Sequence, residues 1–289
     1  MISEEFLKIP NQMFWCSSLH IWDRMRDGMA KMGMDACLLT VDVNLYYTTG
    51  QIYSGYFYLP VDGEPWFLIK RPNGLSGHQV EYIRKPEDIP TLFAERGIKM
   101  PKRLLLEADE LTYNEYIRLQ KVFQPEEAGN ATAFMRNLRR VKTPWEIGQF
   151  RIAARKHEAT YSEIPECFRP GMTDLEFQYE IEKRMRKNGS IGLFRAFGAN
   201  MDIYMGSILA GENAPFDFAL GGGGIDASCP LGANGTLLKE GTAIMVDMAG
   251  NYTAYMTDMT RVFSVGRLTE EAYRAHQVAL TIHRLFGFI

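Results

Sequence analysis

Two aspartates stand where a strand-forming sequence least tolerates them. In MVDMAGNYTAYMTDMTR, residues 245–261, Asp247 and Asp258 lie inside runs of methionine, valine, tyrosine and threonine, a composition that reads as buried strand, from which aspartate is normally depleted. AIMVDM (243–248) and AYMTDMTRVF (254–263) read as antiparallel strands joined through Ala249 to Thr253, a segment that contains Gly250-Asn251. The numbers 247 and 258 add to an odd total, so a loop with an even number of residues places both side chains on one face. A two-residue loop at Tyr252-Thr253 would set them directly opposite, with Cβ atoms about 5 Å apart, where like charges are destabilising. Relief requires a shared proton, a basic neighbour or a metal cation. Arg261 has the opposite strand parity to Asp258 and is expected on the other face. Two converging carboxylates instead make a hard-oxygen platform for a divalent ion. The competing reading is a bulged hairpin with solvated aspartates, and the spacing alone does not separate the two.

The rest of the chain bounds what could surround such a hairpin. With 289 residues, 46% hydrophobic and 23% charged, it suits two domains better than one. A net charge of −3 without a long like-charge run leaves no footprint for nucleic acid or an anionic membrane surface. Cys16, Cys37, Cys167 and Cys229 are widely separated, with no CxxC pair, so neither a zinc ribbon nor a disulfide framework is expected and the thiols read as reduced. The start, MISEEFLKIPNQMFW, lacks a basic residue followed by an apolar run, and nowhere do 18 uncharged apolar residues occur together, so a cytoplasmic location is expected.

Along the chain, Trp22, Met25, Met29 and Met32 fall on one face of a helix over 18–33 that Gly33 stops. ACLLTVDV (36–43), YYTTG, GYFYLPV (55–61), PWFLIKR (65–71) and KRLLLEAD (102–109) read as strands, with helices near 90–97 and after 109. The first ~125 residues therefore form an α/β unit. Thr112 with Glu115, Thr143 with Glu146 and Thr173 with Glu176 match the reciprocal capping pair that satisfies orphan N–H groups at a helix start. Pro144 takes a first helical position. Ile147, Phe150, Ala154, His157, Tyr161 and Ile164 make a helical stripe, on which His157 is expected to be a packing histidine. Phe177, Ile181 and Met185 line the next helix, which Asn188-Gly189 ends. PEEAGNATAF (125–134) is the expected inter-domain link. GGGG at 221–224 lacks the following Lys-Ser or Lys-Thr of a phosphate loop and reads as a flexible turn.

The segment KEGTAIMVDMAGNYTAYMTDMTRVFSVG (239–266) resembles the signature of the M24, or pita-bread, metallopeptidases. LRRVKTPWEIGQFRIAARKHEA (138–159) resembles the opening of that domain in the Xaa-Pro aminopeptidase and Xaa-Pro dipeptidase branch, and RMRDGMAKMGMDACLLTVDVNLYYTTG (24–50) resembles a creatinase-type N-terminal domain. The resemblance implies an α/β creatinase-like domain over 1–130, a mixed sheet with flanking helices. An α+β pita-bread domain over 131–289, incomplete at its C-terminus, would follow. It implies that Asp247 and Asp258 are the first two metal ligands, with Asp258 bridging two divalent ions of the Mn, Co or Zn type. It also implies hydrolysis of a small peptide beside proline, and a possible homodimer. The family completes its site with a later His and two Glu. Glu270 and Glu271 read instead as acids at a helix start, after Thr269, in a helix whose Tyr273 and Leu280 should face a core. The later ligands are thus expected to be missing, and this chain alone to be inactive and, with an uncovered half-sheet, self-associating. The substrate-binding His of the peptidases is also absent, since no His occurs from 158 to 275. Cys229 or Pro230 falls in its place, and with no His near to activate it Cys229 reads as a plain thiol. The alternative implied is a pita-bread binding module without catalysis, or a C–N hydrolase of creatinase type.

Overall fold

The computed structural model describes residues 12–194, 204–214, 221–228 and 230–286, and the chain divides into two units, Met1–Trp145 and Glu146–Ile289. In the first, α1 (Gln12–Lys31) leads to β1 (Ala36–Leu39), α2 (Asp42–Thr49), the antiparallel pair β2 (Ser54–Pro60) and β3 (Trp66–Arg71), and the short β4 (Val80–Tyr82). There follow α3 (Ile89–Glu95), β5 (Arg103–Leu106), α4 (Tyr113–Phe123), β6 (Glu127–Asn130) and α5 (Thr132–Arg140). The strands form one mixed sheet in the order β4-β3-β2-β1-β5-β6. Only β2 is antiparallel to its neighbours, so the carboxyl ends of the other five strands share one edge.

Side chains alternate across this sheet with the period of two that strand geometry dictates. Phe57 and Phe67 pack with Trp22, Met25, Met29 and Met135 on one face, while Tyr58 packs with Phe93, Leu119 and Phe123 on the other. Each such buried side chain is worth about 1.5–3 kcal/mol. Met32 departs from the expected stripe: it lies just past α1 and is exposed, because Gly33 turns the chain through a left-handed conformation.

Two segments of this unit differ from their sequence reading. Residues 42–49 were expected as strand, through VDV and YYTTG, and form α2 instead. Glu107, fully buried at the end of β5, accepts the backbone N–H of Thr40 (2.6 Å) and Val41 (2.9 Å) and the Asn44 amide. That carboxylate satisfies the helix start and matches its dipole, overriding a β-rich composition. PEEAGNATAF, expected as a link, supplies β6, which pairs in parallel with β5, and the start of α5, whose Met135 is buried in the first core. Backbone pairing rather than side-chain propensity makes β6 a strand.

The second unit contains α6 (Pro144–Ser162, beginning just before it), α7 (Asp174–Lys187), β7 (Gly206–Ala210), β8 (Thr242–Gly250), β9 (Thr257–Val265) and α8 (Glu270–Phe286). The strands form an antiparallel sheet, β7-β8-β9. Ile208, Ile244, Val246 and Met248 pack on Tyr161 of α6 and on Phe177, Ile181 and Met185 of α7. The capping pairs Thr112/Glu115 and Thr173/Glu176 are formed, and Pro144 opens α6 as expected. The α6 stripe is displaced: Ile147 and Ala154 are exposed, whereas Ala153, His157, Thr160 and Tyr161 are buried. Nor do Tyr273 and Leu280 reach a core, for no residue of α8 is buried. The core of this unit is already closed by α6 and α7 on the inner sheet face. Among the described residues no helix is long and apolar enough to cross a membrane.

Candidate metal centre

The hairpin of β8 and β9 places the two aspartates on one face. Its register pairs Asp247 with Thr260 and Ala249 with Asp258, and the strands end at Gly250 and resume at Thr257. The connection, 251–256, is therefore even, as sharing a face requires. The two-residue loop at Tyr252-Thr253 does not form, so the aspartates are diagonal neighbours rather than directly opposed, roughly 7–8 Å apart by Cα and still within mutual influence. Burial and the charge of Asp247 push the Asp258 carboxyl above its ordinary value, against a hydrogen bond from the Met259 N–H. Asp247 is half-buried and Asp258 exposed, so the pair forms an open rather than an enclosed platform.

Arg261 does not neutralise them. It pairs with Val246 on the opposite face and donates to the Thr260 carbonyl at 2.8 Å. The Thr260 hydroxyl, cross-strand from Asp247, donates to its Oδ1, and Ser207 of β7 opposes Asp247 from the other side. Neither hydroxyl residue was anticipated. The signal for Thr260 was its odd register sum with Asp247, which becomes useful only once the loop length is known.

The glycine cluster at 221–224 closes one flank of this face and is a held loop rather than a flexible turn. Asn213, buried, donates to the Gly232 carbonyl (2.9 Å) and accepts from the Gly223 N–H (2.7 Å). Gly222 has φ of 82° and lies so close to Leu209 that a Cβ would fall 2.6 Å from its methyl carbon. Leu209 is cross-strand from Met245, two residues before Asp247. Asp174, at the start of α7, anchors the chain entering β8: it is buried and accepts the N–H of Gly235 (2.8 Å) and Asn234 (3.2 Å). Its position after a helix cap was the only sequence signal for that role.

His157 is buried as expected of a packing residue, but only one of its two ring nitrogens is satisfied among the described residues, where the helical stripe implies a satisfied histidine. Its ring lies edge-on to Tyr161 at 5.0 Å, and Nδ1 is 3.0 Å from the Thr257 hydroxyl. Burial, then the Arg261 charge, lowers its pKa to about 4. Nε2 meets no hydrogen-bond partner among the described residues. Gly250 allows the approach, since a Cβ there would lie 2.5 Å from Nδ1.

Among the described residues no group of three or more His, Cys, Asp or Glu could hold a metal ion. Glu270 is paired with Arg267 at 2.6 Å in the first turn of α8, as a helix-start acid. Cys37 and Cys167 are buried, unbridged thiols, both pushed up by burial. The Cys16 side chain and Cys229 lie outside the described residues.

A creatinase-like α/β unit followed by helices backing an antiparallel sheet is the architecture of a creatinase-type N-terminal domain with a pita-bread domain after it. Residues 148–286 match the family model for Metallopeptidase family M24, and residues 22–141 match that for the Creatinase/Prolidase N-terminal domain. The chain belongs to metallopeptidase family M24 and carries a creatinase-type N-terminal domain. It is 23% identical over 269 residues to an uncharacterized peptidase, YqhT, of Bacillus subtilis, covering 91% of this chain and 70% of that protein. It is 22% identical over 289 residues to ectoine hydrolase of Halomonas elongata, covering 90% of this chain and 68% of that protein. The fold is similar to that of an Xaa-Pro dipeptidase from Bacillus anthracis, with a TM-score of 0.71 and 20% identity over 91% of this chain and 69% of that one.

Proposed function

We propose that this chain contributes the first two ligands of a divalent-metal hydrolase acting on a peptide bond next to proline, of the Xaa-Pro aminopeptidase or dipeptidase type. The observation that carries the reading is the pair Asp247 and Asp258 on one sheet face, with Asp258 feeling the charge of Asp247 and Arg261 turned to the other face. Carboxylate oxygens held this way suit Mn²⁺, Co²⁺ or Zn²⁺. When bound, such ions lower the pKa of a water toward neutrality and polarise a scissile carbonyl. The chain's own residues orient the platform. Thr260 holds Oδ1 of Asp247, Arg261 is turned to the other face, and the loop pinned by Asn213 walls one side. The substrate class rests on family membership and on the dipeptidase named among the similar structures. A cytoplasmic location and a homodimer complete the proposal.

Metal uptake is the test that needs only these residues. Calorimetric titration of the 289-residue protein with Mn²⁺, Co²⁺ and Zn²⁺ is expected to give saturable binding, on the order of 0.1–1 mM for a site of so few carboxylates. Asp247→Asn or Asp258→Asn should each weaken it about tenfold or more. Absence of uptake, or uptake indifferent to both substitutions, overturns the assignment.

A further inference from the structure

The six-stranded sheet of the first unit carries an unassigned opening at the edge where its five like-directed strands end. A cavity of about 840 Å³ is lined there by Thr40 at the end of β1, Ser54 at the start of β2, and Lys70 and Arg71 at the end of β3. It shares Ser54, Lys70, Arg71 and Asn73 with an adjoining space of about 470 Å³ that reaches Arg84, just beyond β4. The carboxyl edge of an α/β sheet is where ligands are generally received, and these volumes suit a small molecule.

The charges are unbalanced in the smaller opening, whose lining holds Lys70, Arg71 and Arg84 and no acid, whereas Asp42 and Glu115 line the larger one beside Lys70 and Arg71. Among the described residues Arg71 and Arg84 have no carboxylate partner, whereas Arg96, Arg103 and Arg118 of the same unit are paired with Glu81, Asp35 and Glu87. The register Ile69↔Tyr82 in parallel strands sets Arg71 and Arg84 at equivalent positions two residues further on, about one strand spacing apart. Lys70 lies over the Tyr56 ring at 5.0 Å. Glu115, which lines the larger opening, accepts from the Thr112 N–H and hydroxyl and keeps its charge beside Lys70, and Asp42 stands in the first turn of α2. In the smaller opening two neighbouring guanidinium groups, with Ser54 and Asn73 beside them, form a fork for oxyanions, and Lys70, of opposite strand parity to Arg71, adds its charge from the other side.

We propose that this edge binds a small-molecule oxyanion, a carboxylate or a phosphate ester, through Arg71, Arg84 and Lys70. The site is independent of the aspartate hairpin, so its test is run on the full 289-residue protein after metal removal on a chelating resin, with no soluble chelator present. Inorganic phosphate and succinate are titrated by calorimetry at constant ionic strength. Saturable 1:1 binding of at least one is expected, with Kd between about 10 µM and 1 mM. The preferred anion distinguishes a phosphate from a carboxylate ligand. Arg71→Ala and the more conservative Arg84→Gln should each weaken binding about tenfold, while Arg103→Gln, which removes a paired guanidinium at the opposite edge of the sheet, should leave it within twofold. If neither anion saturates, if both pocket variants bind like the parent, or if Arg103→Gln loses as much as they do, the site does not exist.

Discussion

A buried imidazole that stays neutral makes His157 a pH sensor of folding. Its folded pKa of about 4 lies below the ordinary value near 6.5, so a proton binds the unfolded chain more readily. The stability that neutral His157 contributes is present above about pH 6.5 and is lost as pH falls through the interval down to about 4, to the extent of about 1–3 kcal/mol. Urea denaturation at pH 7 and pH 4.5 should show the parent losing more stability than His157→Gln, and equal losses would contradict the assignment. At this same scale the aspartate pair was half legible. That both carboxylates share a face follows from residue numbers and the period of two, provided the loop is even. Their diagonal offset depends on a six-residue connection, whose length no local residue announces. Ser207 and Thr260 entered the site only through that register.

Helix α2 shows why some elements were readable and others not. The capping pairs at Thr112 and Thr173 were legible because both partners lie within one turn. Helix α2 instead depends on Glu107, 66–67 residues away in sequence from the N–H groups it accepts, and its own Val41, Tyr46, Tyr47 and threonines point to strand. Strand β6, with Ala128 and Gly129 at its centre, is held by backbone pairing alone and was equally silent. The two kinds of cap should differ in strength. Glu107→Ala leaves the buried Asn44 amide and two half-buried N–H groups unpaired, at a cost of about 2–4 kcal/mol. Glu115→Ala opens an exposed cap and costs about 1 kcal/mol or less. Glu107→Gln should fall between, because it keeps one acceptor and removes a charge that burial disfavours. Urea midpoints followed by far-UV circular dichroism order the three variants, and an E107A no worse than E115A would show that α2 does not depend on this carboxylate.

For the whole molecule, the outstanding imbalance is between a second unit whose inner face is closed and an α8 that buries nothing. Val278, Ile282, Leu285 and Phe286 are between 49% and 71% exposed, and Val262 on the outer sheet face is also open. Exposed aliphatic and aromatic groups at this density favour association, because covering them removes apolar area from water at about 25 cal/mol per Å². A net charge of only −3 opposes that weakly. The chain is therefore expected to self-associate, its weight-average mass in sedimentation equilibrium rising across about 1–100 µM with weak dependence on salt. Leu285→Glu with Phe286→Glu should move that rise to higher concentration without changing the far-UV spectrum, since neither side chain supports a core. An ideal monomer over the whole range would mean that α8 satisfies its apolar side within one chain, and the double substitution would then lower stability instead of association.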